Sequence, residues 1–143
     1  MILLQKLYYY GFRGITNDWF RSYLTDRVQT TEIQSYISQK TSSDHGVFRG
    51  LVSGPLLFFR YMNDIQFASD KLSFCLFADD TNMLYSDKKQ TSLERVVNLE
   101  LHKASNWLTS NRLTLNVFKS NYATFRLYQK TFFHPVQIMM YDN

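Results

Sequence analysis

The stretch Leu72 to Tyr85, LSFCLFADDTNMLY, constrains the fold more than any other part of the chain. An apolar run leads into two adjacent aspartates, and a second run starts polar and turns apolar. That order predicts a strand, a tight turn and a returning strand, with Asp79 and Asp80 at the tip. Neighbouring carboxylates between apolar segments repel each other unless something positive sits on them. A hard divalent cation such as Mg²⁺ meets that need, because it takes carboxylate oxygens and brings phosphate-bearing substrates with it. The hairpin therefore suggests metal-assisted phosphoryl or nucleotidyl transfer. As a bare dipeptide, Asp-Asp reads more simply as a β-turn, since Asp favours turns and tolerates left-handed backbone. The surrounding motifs decide between the two.

A length of 143 residues suits one domain or part of one, with room for a useful core. Hydrophobic residues at 45% against 20% charged mark a globular chain rather than a disordered one. The 12 Phe and 10 Tyr could fill that core or stack on bases. A net charge of +4 and a pI near 9.2 suit a polyanionic partner, though a balance of this size is also ordinary for a soluble protein. Cys75, the single cysteine, rules out an internal disulfide and reads as a small buried apolar residue. No apolar run approaches the ~18–20 residues that span a bilayer, so no membrane partner is expected. The start MILLQKLYYYG lacks a basic leader and a small-residue cleavage site. With no targeting signal, an intracellular location in cytoplasm or nucleus is the default.

No repeat, low-complexity tract or linker divides the chain. Ile15, Trp19, Phe20, Tyr23 and Leu24 share one helical face, which Thr16 or Asn17 could cap. Val28 to Ile37 is rich in β-branched and aromatic residues and predicts one strand or a loose hairpin. Thr41 to Asp44 reads as a polar loop before the glycine-punctuated GVFRGLVSGP, Gly46 to Pro55. Pro55 suits the first residue of a helix whose stripe is Leu57, Phe58, Tyr61, Met62 and Ile65. Thr91 to Asn111 is the strongest helix, with Leu93, Val97, Leu101, Ala104 and Leu108 on one face and Asn111 as its stop. Leu113 to Phe125 predicts strand, turn and strand, turning at Lys119-Ser120-Asn121. Beyond residue 128 the pattern weakens and fraying is expected, which gives a domain over 1–128 and a tail over 129–143. Helices alternate with antiparallel hairpins without a βαβ rhythm, and the fold class is α+β.

Several of these segments, taken together, resemble reverse transcriptases. Phe77-Ala78-Asp79-Asp80-Thr81 between two strands is similar to their catalytic hairpin, in the form found in non-LTR retrotransposons of the LINE and jockey-like type. Gly46-Val47-x-x-Gly50-x-x-x-Gly54-Pro55-Leu56-Leu57-Phe58 resembles the family's GVPQGSxLGPLLF block, and Tyr61-x-Asn63-Asp64-Ile65 continues it in register. Gly11-Phe12-Arg13-Gly14-Ile15, followed by Trp19-Phe20-x-x-Tyr23-Leu24, resembles the segment after the first catalytic strand. Ser105-Asn106-Trp107 lies in a counterpart of the helix after the hairpin. Leu113-x-Leu115-Asn116-x-x-Lys119-Ser120 is similar to the fourth motif, which carries a lysine. The likeness runs from about Leu3 to about Phe125.

The resemblance implies a polymerase palm, an antiparallel sheet with helices packed on one face, and RNA-templated DNA synthesis from deoxynucleoside triphosphates and a DNA primer on an RNA template. Asp79 and Asp80 would be catalytic and hold Mg²⁺ in a two-metal site. Gly46, Arg49, Gly50 and Phe77 would line the nucleotide and template, where bare glycine backbone permits close approach. Lys119 would sit near the departing pyrophosphate, although an exposed turn lysine is an equal reading of it.

Three departures qualify that expectation. The family's third carboxylate lies on a strand before the first helix, and no residue before Gly11 is acidic. Phe48-Arg49 replaces the family's Pro-Gln, and a guanidinium cannot supply an amide's paired donor and acceptor. Leu51 replaces the usual serine. Fingers, endonuclease and most of the thumb have no counterpart either. The expectation is thus a truncated palm fragment, inactive as it stands, with marginal stability and an unpaired strand edge open to self-association. A domesticated nucleic-acid-binding module and a non-functional transposon remnant are the alternatives.

Overall fold

The structure is a computed structural model that describes residues 1–42, 53–129 and 134–139. The chain divides into two compact units, Met1–Met62 and Asn63–Asn143. Helices and small antiparallel sheets alternate in both, consistent with the α+β class. Among the described residues no helix is long and apolar enough to cross a membrane.

The first unit is built on helices α1 (Ile2–Tyr9), α2 (Ile15–Leu24) and α3 (Ser53–Met62). Leu3, Leu7, Leu24 and Leu57 form its buried centre, with Leu4, Phe12, Phe20, Tyr23 and Tyr61 packed around them. Lys6 Nζ lies 4.5 Å from the centre of the Tyr61 ring and donates to the Tyr61 carbonyl at 2.7 Å, which ties α1 to α3. Gly11 ends α1 at φ +93°, where the Phe12 N–H reaches back to the Leu7 carbonyl and the Gly11 N–H to that of Tyr8. This pattern stops a helix with a left-handed residue and seats the following apolar side chain, here Phe12, on the last turn.

The expected α2 helix is present, but its cap and face differ. Gly14, at φ +57°, is the N-cap and no side chain caps the helix, so neither Thr16 nor Asn17 takes that role. Of the predicted stripe, Leu24 is buried and Phe20 and Tyr23 are half-buried, whereas Trp19 and Ile15 face solvent. Trp19 instead stacks on Tyr23, with ring centres 5.5 Å apart.

Four two-residue strands follow α2: β1 (Val28–Gln29), β2 (Glu32–Ile33), β3 (Tyr36–Ile37) and β4 (Thr41–Ser42). The loose-hairpin reading of Val28 to Ile37 holds for β2 and β3, paired Glu32 to Ile37 across a turn in which Gln34 is left-handed. β1 pairs with β4, so Thr41 and Ser42 are ladder residues and not the expected loop. Pairing was available to them because β1 leaves the hairpin and needs a partner for its main chain. Helix α3 places Pro55 in its first turn, where a missing N–H costs nothing, rather than at its first residue.

The second unit opens with a 3-10 segment (Asn63–Ala68) and continues through β5 (Ser73–Phe77), β6 (Asp80–Leu84) and the long helix α4 (Gln90–Ser110). Ile65, Leu72, Val96, Ala104, Leu108 and Val136 are its buried apolar side chains. Leu93, Val97 and Leu101 are half-buried, so α4 is rotated towards the row Val96, Glu100, Ala104 and Leu108. Asn111 ends α4 as expected, but the left-handed position falls on Arg112, at φ +54°.

The predicted strands over Leu113 to Phe125 do not form. Leu113, Leu115 and Val117 alternate with exposed Thr114, Asn116 and Phe118, yet no ladder partner meets them among the described residues. Asn116 draws the chain into a 3-10 turn (Val117–Lys119), its side chain accepting from the Lys119 N–H and its carbonyl from Ser120 Oγ. Such local side-chain and backbone bonds compete with a ladder. The described strands make three separate two-stranded sheets. Cys75 is exposed, against the buried position expected for it, because it points to the open face of β5.

Candidate functional site

Strands β5 and β6 pair antiparallel from Ser73 with Leu84 to Phe77 with Asp80. Ala78 and Asp79 are therefore the whole loop. Ala78 adopts φ +53° while Asp79 keeps negative φ, the sign pattern of a two-residue turn whose first position favours glycine. Alternation along the strands turns Phe74, Leu76, Thr81 and Met83 towards the protein and Cys75, Phe77, Asp80 and Asn82 towards solvent. Asp79 and Asp80 are both exposed, and Phe77 beside them is 76% exposed. The sequence-predicted hairpin and its two aspartates are thus found together at one tip.

The roots of the hairpin are tied to α4 by two polar clusters. Ser69 Oγ accepts the N–H groups of Lys71 and Leu72 at 3.2 and 3.0 Å and donates to Glu100 Oε2 at 2.7 Å. Glu100 is completely buried, and Lys103 Nζ reaches its two oxygens at 2.9 and 3.0 Å. The Lys103 ammonium, with help from Ser69, holds the Glu100 carboxyl below the usual carboxylate range against the opposing effect of burial. At the other root Asp87 accepts from the Lys89 N–H at 2.9 Å, from Ser92 Oγ at 2.7 Å and from the Tyr85 hydroxyl at 3.3 Å. The Lys89 N–H and the Ser92 hydroxyl lower the Asp87 pKa, while partial desolvation and the facing Asp87 charge raise that of Tyr85. The tip is free in solvent and its base is fixed.

Neither cluster was foreseen from the sequence. The visible signal for the first was a carboxylate, Glu100, on the apolar row of α4. For the second it was Asp87, placed shortly before the helix with Ser92 inside its first turn.

The other predicted site residues lie elsewhere. Lys119 is exposed at the end of its 3-10 turn, and no hydrogen bond or ion pair joins it to Asp79 or Asp80. Gly46, Arg49 and Gly50 fall outside the described residues. Two exposed carboxylates are hard oxygen donors of the kind Mg²⁺ accepts. Among the described residues no group of three His, Cys, Asp or Glu side chains gathers to hold a metal. The donor chemistry at the tip fits a divalent cation, and the donor number supplies part of its shell.

Neither the curated proteins nor the solved structures contain a match to this chain. The sequence model of the family described as reverse transcriptase (RNA-dependent DNA polymerase) matches residues 2–137, a span that includes the hairpin, its anchoring helix and the Lys119 turn. By that match over nearly its whole length, the chain belongs to the reverse transcriptase family.

Proposed function

We propose that the chain is part of the catalytic palm of a non-LTR retrotransposon reverse transcriptase, of the LINE or jockey-like type, and contributes two of the carboxylates for RNA-templated DNA synthesis. The observation that carries this reading is the hairpin itself: a two-residue loop presents Asp79 and Asp80 on a base fixed to α4. Asp79 and Asp80 would hold Mg²⁺, which when bound offsets the charge of the nucleotide's phosphates. Exposed Phe77 would flank the primer or nucleotide, and Lys119 would serve the departing pyrophosphate. Gly46, Arg49 and Gly50 would line the template and incoming deoxynucleotide.

The further reading, that this polypeptide does not extend a primer by itself, rests on its departures from the family's pattern at Phe48-Arg49 and Leu51. A chimera tests the assignment. The chain is joined behind the upstream part of an active reverse transcriptase of the same type and given an RNA template, DNA primer, deoxynucleotides and Mg²⁺. Templated extension that disappears with Asp79→Ala is expected, together with no extension by the chain alone. Extension that survives the substitution would remove Asp79 from the reaction.

The net charge of +4 favours a second reading, a binding module that keeps the fold and its basic charge. It predicts RNA or DNA binding that weakens steeply with salt and is untouched by Asp79→Ala.

A further inference from the structure

Helices α1 and α2 share an open cavity of about 480 Å³. Gln5, Tyr8 and Tyr9 line it from successive turns of α1. Asn17, Arg21 and the C-cap Thr25 line it from α2, at intervals of four residues along one side. Its size lies within the ~300–1,000 Å³ of pockets that take small organic ligands. All six residues belong to the first unit, and none to the β5–β6 hairpin.

Three features of the cavity define what fits it. Tyr9 is 85% exposed, and its ring meets that of Tyr8 edge to face with centres 6.2 Å apart, which leaves aromatic surface free for stacking. Arg21 is exposed, and among the described residues no carboxylate pairs with it. Arg13 brings a second positive charge, its guanidinium 4.9 Å from the centre of the Tyr8 ring. Among the described residues no acidic side chain lines the cavity, so its charge complements an anion. Finally, Asn17 Oδ1 is buried with no hydrogen-bond partner among the described residues. Such an unpaired acceptor is unfavourable, and its amide turns about a broad terminal torsion. A ligand that carries a donor into the cavity relieves it.

We infer that this cavity binds a single nucleotide, with the base against Tyr9, the donor edge of the base on Asn17 and the phosphate at Arg21. A nucleotide joins an aromatic ring to an anion through a polar spacer, and a guanidinium takes phosphate oxygens in pairs. A plain aromatic compound would leave Arg21 unused, and a bare anion would leave Tyr9 and Asn17 unused. The carboxamide of Asn17 matches the paired donor and acceptor of an adenine edge, so an adenine nucleotide is the apt probe. A free nucleotide and one unit of a single strand share this chemistry. The inference does not rest on the metal-dependent reaction proposed above, because the cavity takes no residue from the hairpin.

Amide chemical shifts of the isotopically labelled full chain test it, recorded with EDTA so that no metal-held nucleotide at the hairpin contributes. Adenosine 5′-monophosphate should shift Tyr8, Tyr9, Asn17 and Arg21 saturably in the millimolar range, and should bind more tightly than adenosine. Arg21→Gln should lower its affinity to that of adenosine, whereas Tyr9→Leu should weaken both ligands by about tenfold. Both side chains are exposed, so neither change disturbs the leucine centre of the unit. A short oligoadenylate that binds more tightly than the monophosphate would make a single strand the source, and equal affinity would make it the free nucleotide. The inference is overturned by the absence of a saturable shift, by adenosine binding as tightly as the monophosphate, or by inorganic phosphate producing the same shifts. An affinity that neither substitution changes would overturn it as well.

Discussion

Ser69 Oγ donates to Glu100 Oε2 at 2.7 Å, and this bond fastens the turn that leads into β5 to the middle of α4. Glu100 is fully buried, so its removal leaves a hydroxyl facing a gap instead of water. Glu100→Ala should destabilise the second unit by about 1–3 kcal/mol. Urea unfolding followed by the fluorescence of Trp107 on α4 measures it.

The same carboxylate makes stability depend on pH. Its pKa is lowered in the folded chain, chiefly by Lys103. A lowered carboxylate stabilises the fold at pH above its unfolded value, ~4.3 for glutamate. That contribution declines as pH falls from this value through the folded pKa, and is absent below both. Glu100→Gln should therefore flatten the loss of stability in acid and change its slope little near neutrality. Thermal unfolding across pH 3 to 7, as an order-of-magnitude window set by the same linkage, compares the two chains.

Two left-handed residues offer stabilising substitutions. Arg112 ends α4 at φ +54°, with its N–H on the Thr109 carbonyl and the Leu113 N–H on that of Leu108. Glycine is favoured in that place, and Arg112→Gly should raise stability by about 1 kcal/mol. Ala78, at φ +53° in the hairpin loop, should accept glycine with a similar or smaller gain, while Ala78→Val should cost about 1–2 kcal/mol. Denaturant midpoints for the three variants check the order.

Sequence periodicity located α2, α3, α4 and the β5–β6 hairpin, because each carries its own repeat and turn chemistry. The stop at Asn111 follows from a residue type that ends helices, although the left-handed turn falls to Arg112, which carries no such signal, and α1 with its stop at Gly11 was not legible beforehand. Long-range pairing was less visible. The β1–β4 ladder joins residues separated by a hairpin, and two-residue strands have no period to read. Over Leu113 to Phe125 the alternation was genuine, but a strand needs a partner, and Asn116 turned the chain locally instead. At the site, the adjacent aspartates were legible from composition and context. Glu100, Ser69 and Asp87 were not, since their roles arise only when distant segments meet. The packing of residues 134–139 along α4 was hidden for the same reason: most of its contacts are made to main chain, and those of the His134 ring arise only when the segments meet.

The hairpin tip is proposed as the metal-binding part of a nucleotidyl-transfer site. Paramagnetic Mn²⁺ added to the isotopically labelled chain tests it most directly, by broadening the amide signals nearest the ion. Broadening centred on Ala78, Asp79, Asp80 and Thr81 is expected, and it should be lost in Asp79→Asn. Signals at the tip that stay sharp while others broaden would contradict it.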